Sequence, residues 1–263
     1  MDASSLAVGA YRTETIGGSI RFGYPLSETD GVSFSLGAES VNLGIFPSTP
    51  QTYVNFANSF GTKYAYLSSV AGWGRDRRDS AIQPNRGYIM NANVELAGGD
   101  LQYYRFGFIE RWYTPLSQNL TLSLNADLGY VHGLNNKEVP FFKNFYAGGP
   151  GSVRGYRSYS LGPQDSATNV LGGTRKVVGG AEVLFPVPGA QFDKSLRLAA
   201  FLDAGQVYGA GQKLALGDLR YSAGVGLAWV SPFGPLRISF GQPLNRKPGD
   251  RAEKIQFTFG TAF

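Results

Sequence analysis

Long stretches in which apolar and polar residues alternate one by one are the feature that most constrains the fold of this chain. From residue 120 to residue 130, every even-numbered residue is apolar and every odd-numbered one is polar or small. The C-terminal stretch 255–263 repeats the pattern and places Phe257, Phe259 and Phe263 on one face. A period of two places successive side chains on opposite faces of a β-strand. The chain is therefore predicted to be all-β, with one apolar and one polar face on each strand.

The same pattern recurs along the whole chain and predicts twelve strands. They lie at residues 5–11, 16–24, 31–42, 62–73, 87–96, 101–113, 120–130, 176–186, 195–208, 219–231, 234–242 and 255–263. Strands of about 9–11 residues cross a bilayer when tilted, whereas strands of soluble proteins usually have about 5–6 residues. Connections such as 25–30 are short, while 43–61 and 133–175 are long. Short turns on one rim and long loops on the other are typical of outer-membrane barrels.

The polar face of the strands separates a membrane barrel from a soluble β-sandwich or a lipocalin-like barrel. Charged residues make up only 16% of the chain, against roughly 25% in an ordinary soluble domain. The face opposite the apolar one is rich in Gly, Ser, Thr, Asn, Arg and Glu, which line a water-filled lumen better than they fill a core. We therefore predict a single transmembrane antiparallel β-barrel domain of about 12 strands over residues 1–263.

Composition also argues against several kinds of site. The chain has no cysteine and one histidine, His132, which excludes thiolate metal sites and His-rich zinc sites. The net charge of +5 is scattered along the sequence, so nucleic-acid binding is not predicted. The glycine-rich stretch GGPGSVRG at 148–155 is neither a Walker nor a Rossmann phosphate loop. We expect no enzymatic activity, no catalytic residues, no cofactor and no metal.

Several blocks of sequence carry a resemblance to a known family. The segment NFYAGGPGSVRGY at 144–156 resembles the signature loop of BamA-type outer-membrane β-barrel assembly factors, whose superfamily also includes two-partner-secretion transporters. RGY at 86–88, SPFGPLRISFGQPL at 231–244 and a last strand ending in Phe263 resemble further BamA segments in the same order. The resemblance runs from about residue 5 to the C-terminus. It implies that 133–175 is a long extracellular loop that folds back into the lumen.

The resemblance also implies roles for individual residues. The family's VRG[FY] motif corresponds to Val153, Arg154, Gly155 and Tyr156. In the family, inward-facing acids on the next two strands hold the motif's arginine, and Glu182 and Asp203 occupy those positions here. The aromatic residues Phe257, Phe259 and Phe263 correspond to the family's C-terminal strand signal.

Physical reasoning supports such an anchor but leaves an alternative open. A loop of about 40 residues has a conformational entropy that exposed contacts do not offset. An arginine bound to carboxylates in a partly dehydrated lumen offers short, geometrically demanding bonds. The residues alone are equally compatible with an exposed Arg154 and with acids that line a pore independently of it.

The family implies a function and also shows what this sequence lacks. Its members fold and insert β-barrel proteins into the bacterial outer membrane without an energy cofactor, acting on unfolded client proteins beside the lipid bilayer. Their barrels have sixteen strands preceded by periplasmic POTRA domains that engage accessory subunits, whereas about the last twelve strands and no POTRA domain are found here. Two alternatives therefore stand beside the assembly factor: a two-partner-secretion pore, and a folded remnant without insertion activity. Closure of twelve strands requires a seam between 5–11 and 255–263, which we expect to pair loosely.

Overall fold

The computed structural model describes residues 11–189 and 195–260. Its elements are β1 (Tyr11–Pro25), β2 (Asp30–Ile45), α1 (Gln51–Phe60), β3 (Lys63–Asp76), β4 (Gly87–Gly99), β5 (Tyr103–Pro115), β6 (Thr121–Gly133), β7 (Gly155–Tyr156), β8 (Arg175–Pro186), β9 (Leu196–Tyr208), β10 (Arg220–Ser231), β11 (Gly234–Pro243), β12 (Ala252–Glu253) and β13 (Ile255–Phe259). Short 3-10 turns occupy Phe141–Lys143 and Leu216–Asp218.

Eleven of the strands form one antiparallel sheet, which is the wall of the barrel. The strands follow one another in chain order, β1-β2-β3-β4-β5-β6-β8-β9-β10-β11-β13, and the two-residue strands β7 and β12 pair separately. Antiparallel neighbours need only a turn or loop between them, so this meander follows directly from the spacing of the alternating segments. The predicted transmembrane antiparallel barrel is confirmed. Within the described part of the chain, no helix has the length and hydropathy to cross a membrane.

The first strand differs from the prediction of separate strands at 5–11 and 16–24. A single strand, β1, runs through residues 12–15, and each residue from Tyr11 to Pro25 pairs with β2. The four residues between the two predicted strands, RTET, contain no Gly, Pro, Asn or Asp to form a turn. Arg12 and Glu14 instead share the outer face and form an exposed ion pair at 3.0 Å. Residues 5–10 of the predicted first strand, and Phe263 at the other end, lie outside the described residues.

Alternation along the strands places the apolar side chains on the outside of the wall, as predicted. On β13, Phe257 and Phe259 are 70% and 56% exposed, while Gln256 between them is buried. On β6, Leu124 and Leu128 are exposed and Thr121 is buried. Large apolar side chains directed outward along many neighbouring strands form a surface that suits lipid and not water. The polar side chains accordingly face the lumen.

The connections differ between the two rims. The turns 26–29, 77–86, 116–120 and 232–233 lie on one rim, whereas the opposite rim carries 46–62, 134–174, 209–219 and 244–254. We call the latter the long-loop rim; the short connection 100–102 between β4 and β5 also lies there.

The loop 134–174 and helix α1 fill the lumen near the long-loop rim. The Tyr53 ring on α1 stacks on Phe141 at 3.8 Å between centroids, and both contact Tyr11 of β1 edge-on. The main hydrophobic core is therefore formed between a loop and the inner face of the wall.

Candidate functional site

The middle of the loop 134–174 packs against the inner faces of β8 and β9. The turn that directs it there uses Gly148 and Gly149, both with φ near +98° (98° and 97°), a region that side-chain-bearing residues rarely adopt. Beyond the turn, Val153 is completely buried. A Cβ at Gly205 of β9 would lie 2.8 Å from Val153 Cγ2, so the missing side chain makes room for this residue. The packing fixes the position of the residue that follows, Arg154.

Arg154 forms a fork with two carboxylates on neighbouring strands. Its Nε and Nη2 donate to the two oxygens of Asp203, each at 2.7 Å, and its Nη1 donates to Glu182 Oε2 at 2.8 Å. The backbone N–H of Arg154 also donates to Asp203 Oδ2, at 3.0 Å. Bidentate guanidinium–carboxylate bonds of this length are among the strongest side-chain contacts in proteins. We call Arg154, Glu182 and Asp203 the arginine cluster.

Two further wall residues complete the surroundings of the guanidinium. The ring of Phe201, on the same face of β9 as Asp203, has its centroid 3.5 Å from Arg154 Cζ. Arg237 of β11 donates to the second oxygen of Glu182, so this carboxylate bridges two arginines. The cluster thus links the loop to β8, β9 and β11.

Burial and charge act in opposite directions on Arg154, whose side chain is only 5% exposed. Burial lowers the pKa of the guanidinium, but hydrogen bonds and attraction from Asp203 and Glu182 outweigh this, so its pKa lies above the ordinary value. The arginine therefore stays charged, and its positive charge is met by carboxylates at hydrogen-bonding distance. Removing one partner of such a buried group leaves an uncompensated charge, which costs about 3–5 kcal/mol.

The last described strand, β13, is hydrogen-bonded to the loop backbone beside the cluster. The carboxamide of Gln256 on β13 donates to the carbonyl of Tyr156 at 2.7 Å and accepts from the N–H of Gly155 at 3.2 Å. Gly155 and Tyr156 also form β7, which pairs with Ala252 and Glu253 in β12. The VRGY segment is therefore attached at once to the wall, to the last strand and to the neighbouring loop 244–254.

The structure brings together all three charged residues singled out in the sequence, and it adds partners that sequence reasoning missed. Arg154 pairs with both Glu182 and Asp203. Alternation placed Phe201 and Gln256 on the inner face, but nothing in the local pattern showed that they would contact the motif. Phe257 and Phe259 lie on the outer face, away from the cluster, and Phe263 lies outside the described residues.

The arrangement suits anchoring of the loop better than acid–base catalysis. A cavity of about 190 Å³ next to the cluster is lined by Arg111, Ser152, Arg237 and Thr258, among others. In residues 11–189 and 195–260, no group of three or more His, Asp or Glu side chains could hold a metal ion. The carboxylates of the cluster are occupied by arginines, which leaves them poorly placed to act as general acid or base.

Comparison with known proteins identifies relatives along nearly the whole chain. Residues 3–263 match the Omp85 superfamily domain. The outer membrane protein assembly factor BamA of Neisseria meningitidis serogroup B is 38% identical over 300 aligned positions, which cover 99% of this chain and 38% of that protein. The chain thus spans well under half the length of this relative.

Solved structures show the same fold. The crystal structure of Haemophilus ducreyi BamA lacking POTRA domains 1–3 superposes with a TM-score of 0.87 at 27% identity, covering 96% of this chain and 55% of that one. CdiB from Acinetobacter baumannii superposes with a TM-score of 0.60 at 13% identity, covering 94% of this chain and 42% of the other. The second likeness concerns the fold alone.

Proposed function

Because the chain belongs to the Omp85 superfamily, we propose that it is the barrel part of an outer-membrane protein assembly factor, which folds β-barrel proteins and inserts them into the membrane. It is a bacterial outer-membrane protein, as are the BamA relatives that it matches along nearly its whole length. We also propose that the chain is a single barrel domain, which corresponds to the C-terminal part of a larger family barrel.

The observation that carries this proposal is the double likeness to BamA. Identity of 38% extends over 99% of the chain, and the wall superposes on a BamA barrel with a TM-score of 0.87. The two-partner-secretion pore has less support, since the CdiB barrel is 13% identical and superposes at 0.60. A folded remnant without activity remains the second candidate, because the chain covers 38% of the Neisseria BamA.

In this function, the arginine cluster anchors the loop 134–174 inside the barrel. It holds the loop inside the lumen against β8 and β9, and Gln256 extends the attachment to β13. A loop fixed in this way keeps the lumen filled and steadies the last strands, including β13, which has only five residues. Val153, Arg154, Gly155 and Tyr156 thus act as a loop anchor, with Glu182 and Asp203 as its receptors.

The partners follow from the location and the function. The outer face contacts the lipid bilayer, and unfolded outer-membrane proteins are the substrates. Accessory assembly subunits act through periplasmic domains where these are present. In this proposal insertion uses no energy cofactor, because it draws on the folding free energy of the client.

An insertion assay tests the proposal. The full chain is reconstituted into liposomes, and the rate at which a urea-unfolded outer-membrane barrel protein becomes protease-resistant is compared with the rate in empty liposomes. A second arm uses the chain extended by the family's missing strands and POTRA domains, and a third uses an unrelated outer-membrane barrel at equal density.

The arms separate the candidates. Faster folding of the client with both forms of the chain, but not with the unrelated barrel, supports the assembly factor. Acceleration by the extended form alone identifies the chain as an inactive remnant. Ion conductance together with passage of a secreted partner, without faster client folding, overturns the proposal in favour of the pore.

A further inference from the structure

A second charged residue of the loop 134–174 lies in a pocket on the opposite half of the wall. Lys143 ends the 3-10 turn at Phe141–Lys143, and its Nζ donates to Glu95 Oε1 of β4 at 3.2 Å. The same ammonium lies 5.4 Å from the ring centroid of Tyr66 on β3 and 5.5 Å from that of Tyr103 on β5. Its side chain is 21% exposed, so most of its surface is covered.

The wall builds this pocket through contacts that do not involve the lysine. The Tyr103 hydroxyl donates to Glu95 Oε1 at 2.5 Å, and the Tyr66 hydroxyl donates to Glu39 Oε2 at 2.6 Å. Ser68 Oγ lies 3.2 Å from the other oxygen of Glu39. These bonds hold two carboxylates in place and direct two aromatic rings toward the same point. We call Glu39, Tyr66, Glu95 and Tyr103 the ammonium cage.

The chemistry of the cage selects a cation. Carboxylates and the faces of aromatic rings both attract an ammonium group, and the attraction grows where water is excluded. Two carboxylates in a covered part of the lumen are unfavourable without a positive charge nearby. Lys143 supplies one, on a flexible stem that reaches between the rings.

Aromatic neighbours of Lys143 direct the segment toward the cage. Phe141 stacks on Tyr53 of α1. The Phe145 ring lies beneath Arg105 of β5 at 4.2 Å and near Lys176 of β8 at 5.7 Å. These contacts position residues 141–145 along the inner wall. Within this segment, the charge of Lys143 is therefore the feature that interacts specifically with the cage.

We infer that the inner wall of β2–β5 carries a second anchoring site for the loop, an alkylammonium cage that takes Lys143. The loop is then held at two points, by Lys143 on β2–β5 and by Arg154 on β8 and β9. This inference does not depend on insertion activity, because it concerns only where the loop is held.

Hydrogen exchange of the full chain in detergent tests the cage. Lys143→Met keeps the length and apolar stem but removes the charge, so amides of residues 138–147 should exchange on the order of tenfold faster. Lys137→Met is the matched control, since Lys137 lies in the same loop and donates to the carbonyl of Asp100, outside the cage, at 3.2 Å. Its exchange should equal that of the parent chain.

The double variant Lys143→Met with Glu95→Gln separates anchoring from simple charge burial. It should recover part of the melting temperature lost in Lys143→Met, because the unpaired carboxylate is gone, while residues 138–147 still exchange fast. If Lys143→Met alone fails to fold, the exchange of residues 138–147 can be measured in the double variant instead. Exchange of 138–147 within twofold of the parent, in either Lys143→Met or the double variant, would overturn the inference.

Discussion

Gly155 of the loop and Gly241 of β11 meet backbone to backbone. A Cβ at Gly241 would lie 2.7 Å from the Gly155 nitrogen, and a Cβ at Gly155 would lie 2.8 Å from the carbonyl carbon and oxygen of Gly241. Real Cβ atoms essentially never approach other atoms so closely, and neither neighbour is a flexible side chain that could move away. The two glycines therefore set how near the VRGY segment comes to the wall.

Gly241→Ala should push the VRGY segment off β11 and destabilise the folded barrel by about 1–3 kcal/mol, the usual cost of overpacking. Gly155→Ala should cost more, because its φ of 86° is also unfavourable for alanine. Gly151→Ala is the control in the same loop, since a Cβ there meets nothing within 4 Å. Urea unfolding in detergent measures all three, and equal midpoints for Gly241→Ala and Gly151→Ala would contradict the prediction.

Arg154→Ala should free the loop 134–174 and cost about 3–5 kcal/mol, because Asp203 is left buried without its arginine and Glu182 keeps only Arg237. Arg154→Lys should restore only part of this, since an ammonium lacks the planar fork that matches Asp203. Limited proteolysis of the loop, with Arg157→Ala as an exposed arginine control, gives the readout. Unchanged protease resistance in Arg154→Ala would show that the cluster does not hold the loop.

Gln256→Leu should detach the last strand from the loop while leaving the arginine cluster intact. It removes two hydrogen bonds to the backbone of Gly155 and Tyr156, with a loss of about 1–3 kcal/mol at 0.5–1.5 kcal/mol each. Amide exchange at 155–156 should rise, and exchange at 203 should stay at the parent value. Thr258→Val, also on β13, should leave both unchanged. Equal effects of the two substitutions would show that the Gln256 hydrogen bonds do not hold the loop.

Neighbouring residues on β4 should differ strongly in the cost of an added charge. Val94 is on the outer face and Asn93 on the inner one, as their positions in the pairing with β3 and β5 require. Val94→Arg should destabilise the barrel in lipid by about 2–4 kcal/mol, near the cost of arginine at the bilayer midplane. Asn93→Arg should cost much less, because the lumen is wet. Similar unfolding free energies for the two variants would contradict a membrane-facing outer surface.

Backbone amides of β13 should exchange faster than those of β6. Five residue pairs join β13 to β11, whereas thirteen join β6 to β5. Opening a short ladder exposes fewer bonds at once and requires less free energy. Protection of 255–259 equal to that of 121–133 in detergent would indicate that a further partner secures the strand. The predicted pairing of residues 5–11 with 255–263 stays a prediction, because most of its first strand lies outside the described residues.

The sequence alone determined the class of the fold and the face of most strand residues. Alternation is a local property, since consecutive side chains on a strand must point to opposite sides. It therefore placed Leu124 and Phe257 outward and Asp203 inward. It failed at residues 12–15, where four polar residues interrupt the apolar alternation although the strand continues through them.

Only the tertiary structure decided which inward residues meet. Arg154 is 49 positions from Asp203, Tyr156 is 100 from Gln256, and Lys143 is 48 from Glu95. Such contacts depend on the path of the loop 134–174 through the lumen, which the glycine turn at 148–149 and the aromatic packing on α1 direct. A period-two pattern specifies a face but no partner across the barrel. The arginine cluster was anticipated through the family motif, whereas Phe201, Gln256 and the ammonium cage became visible as contacts only when the loop was placed against the wall.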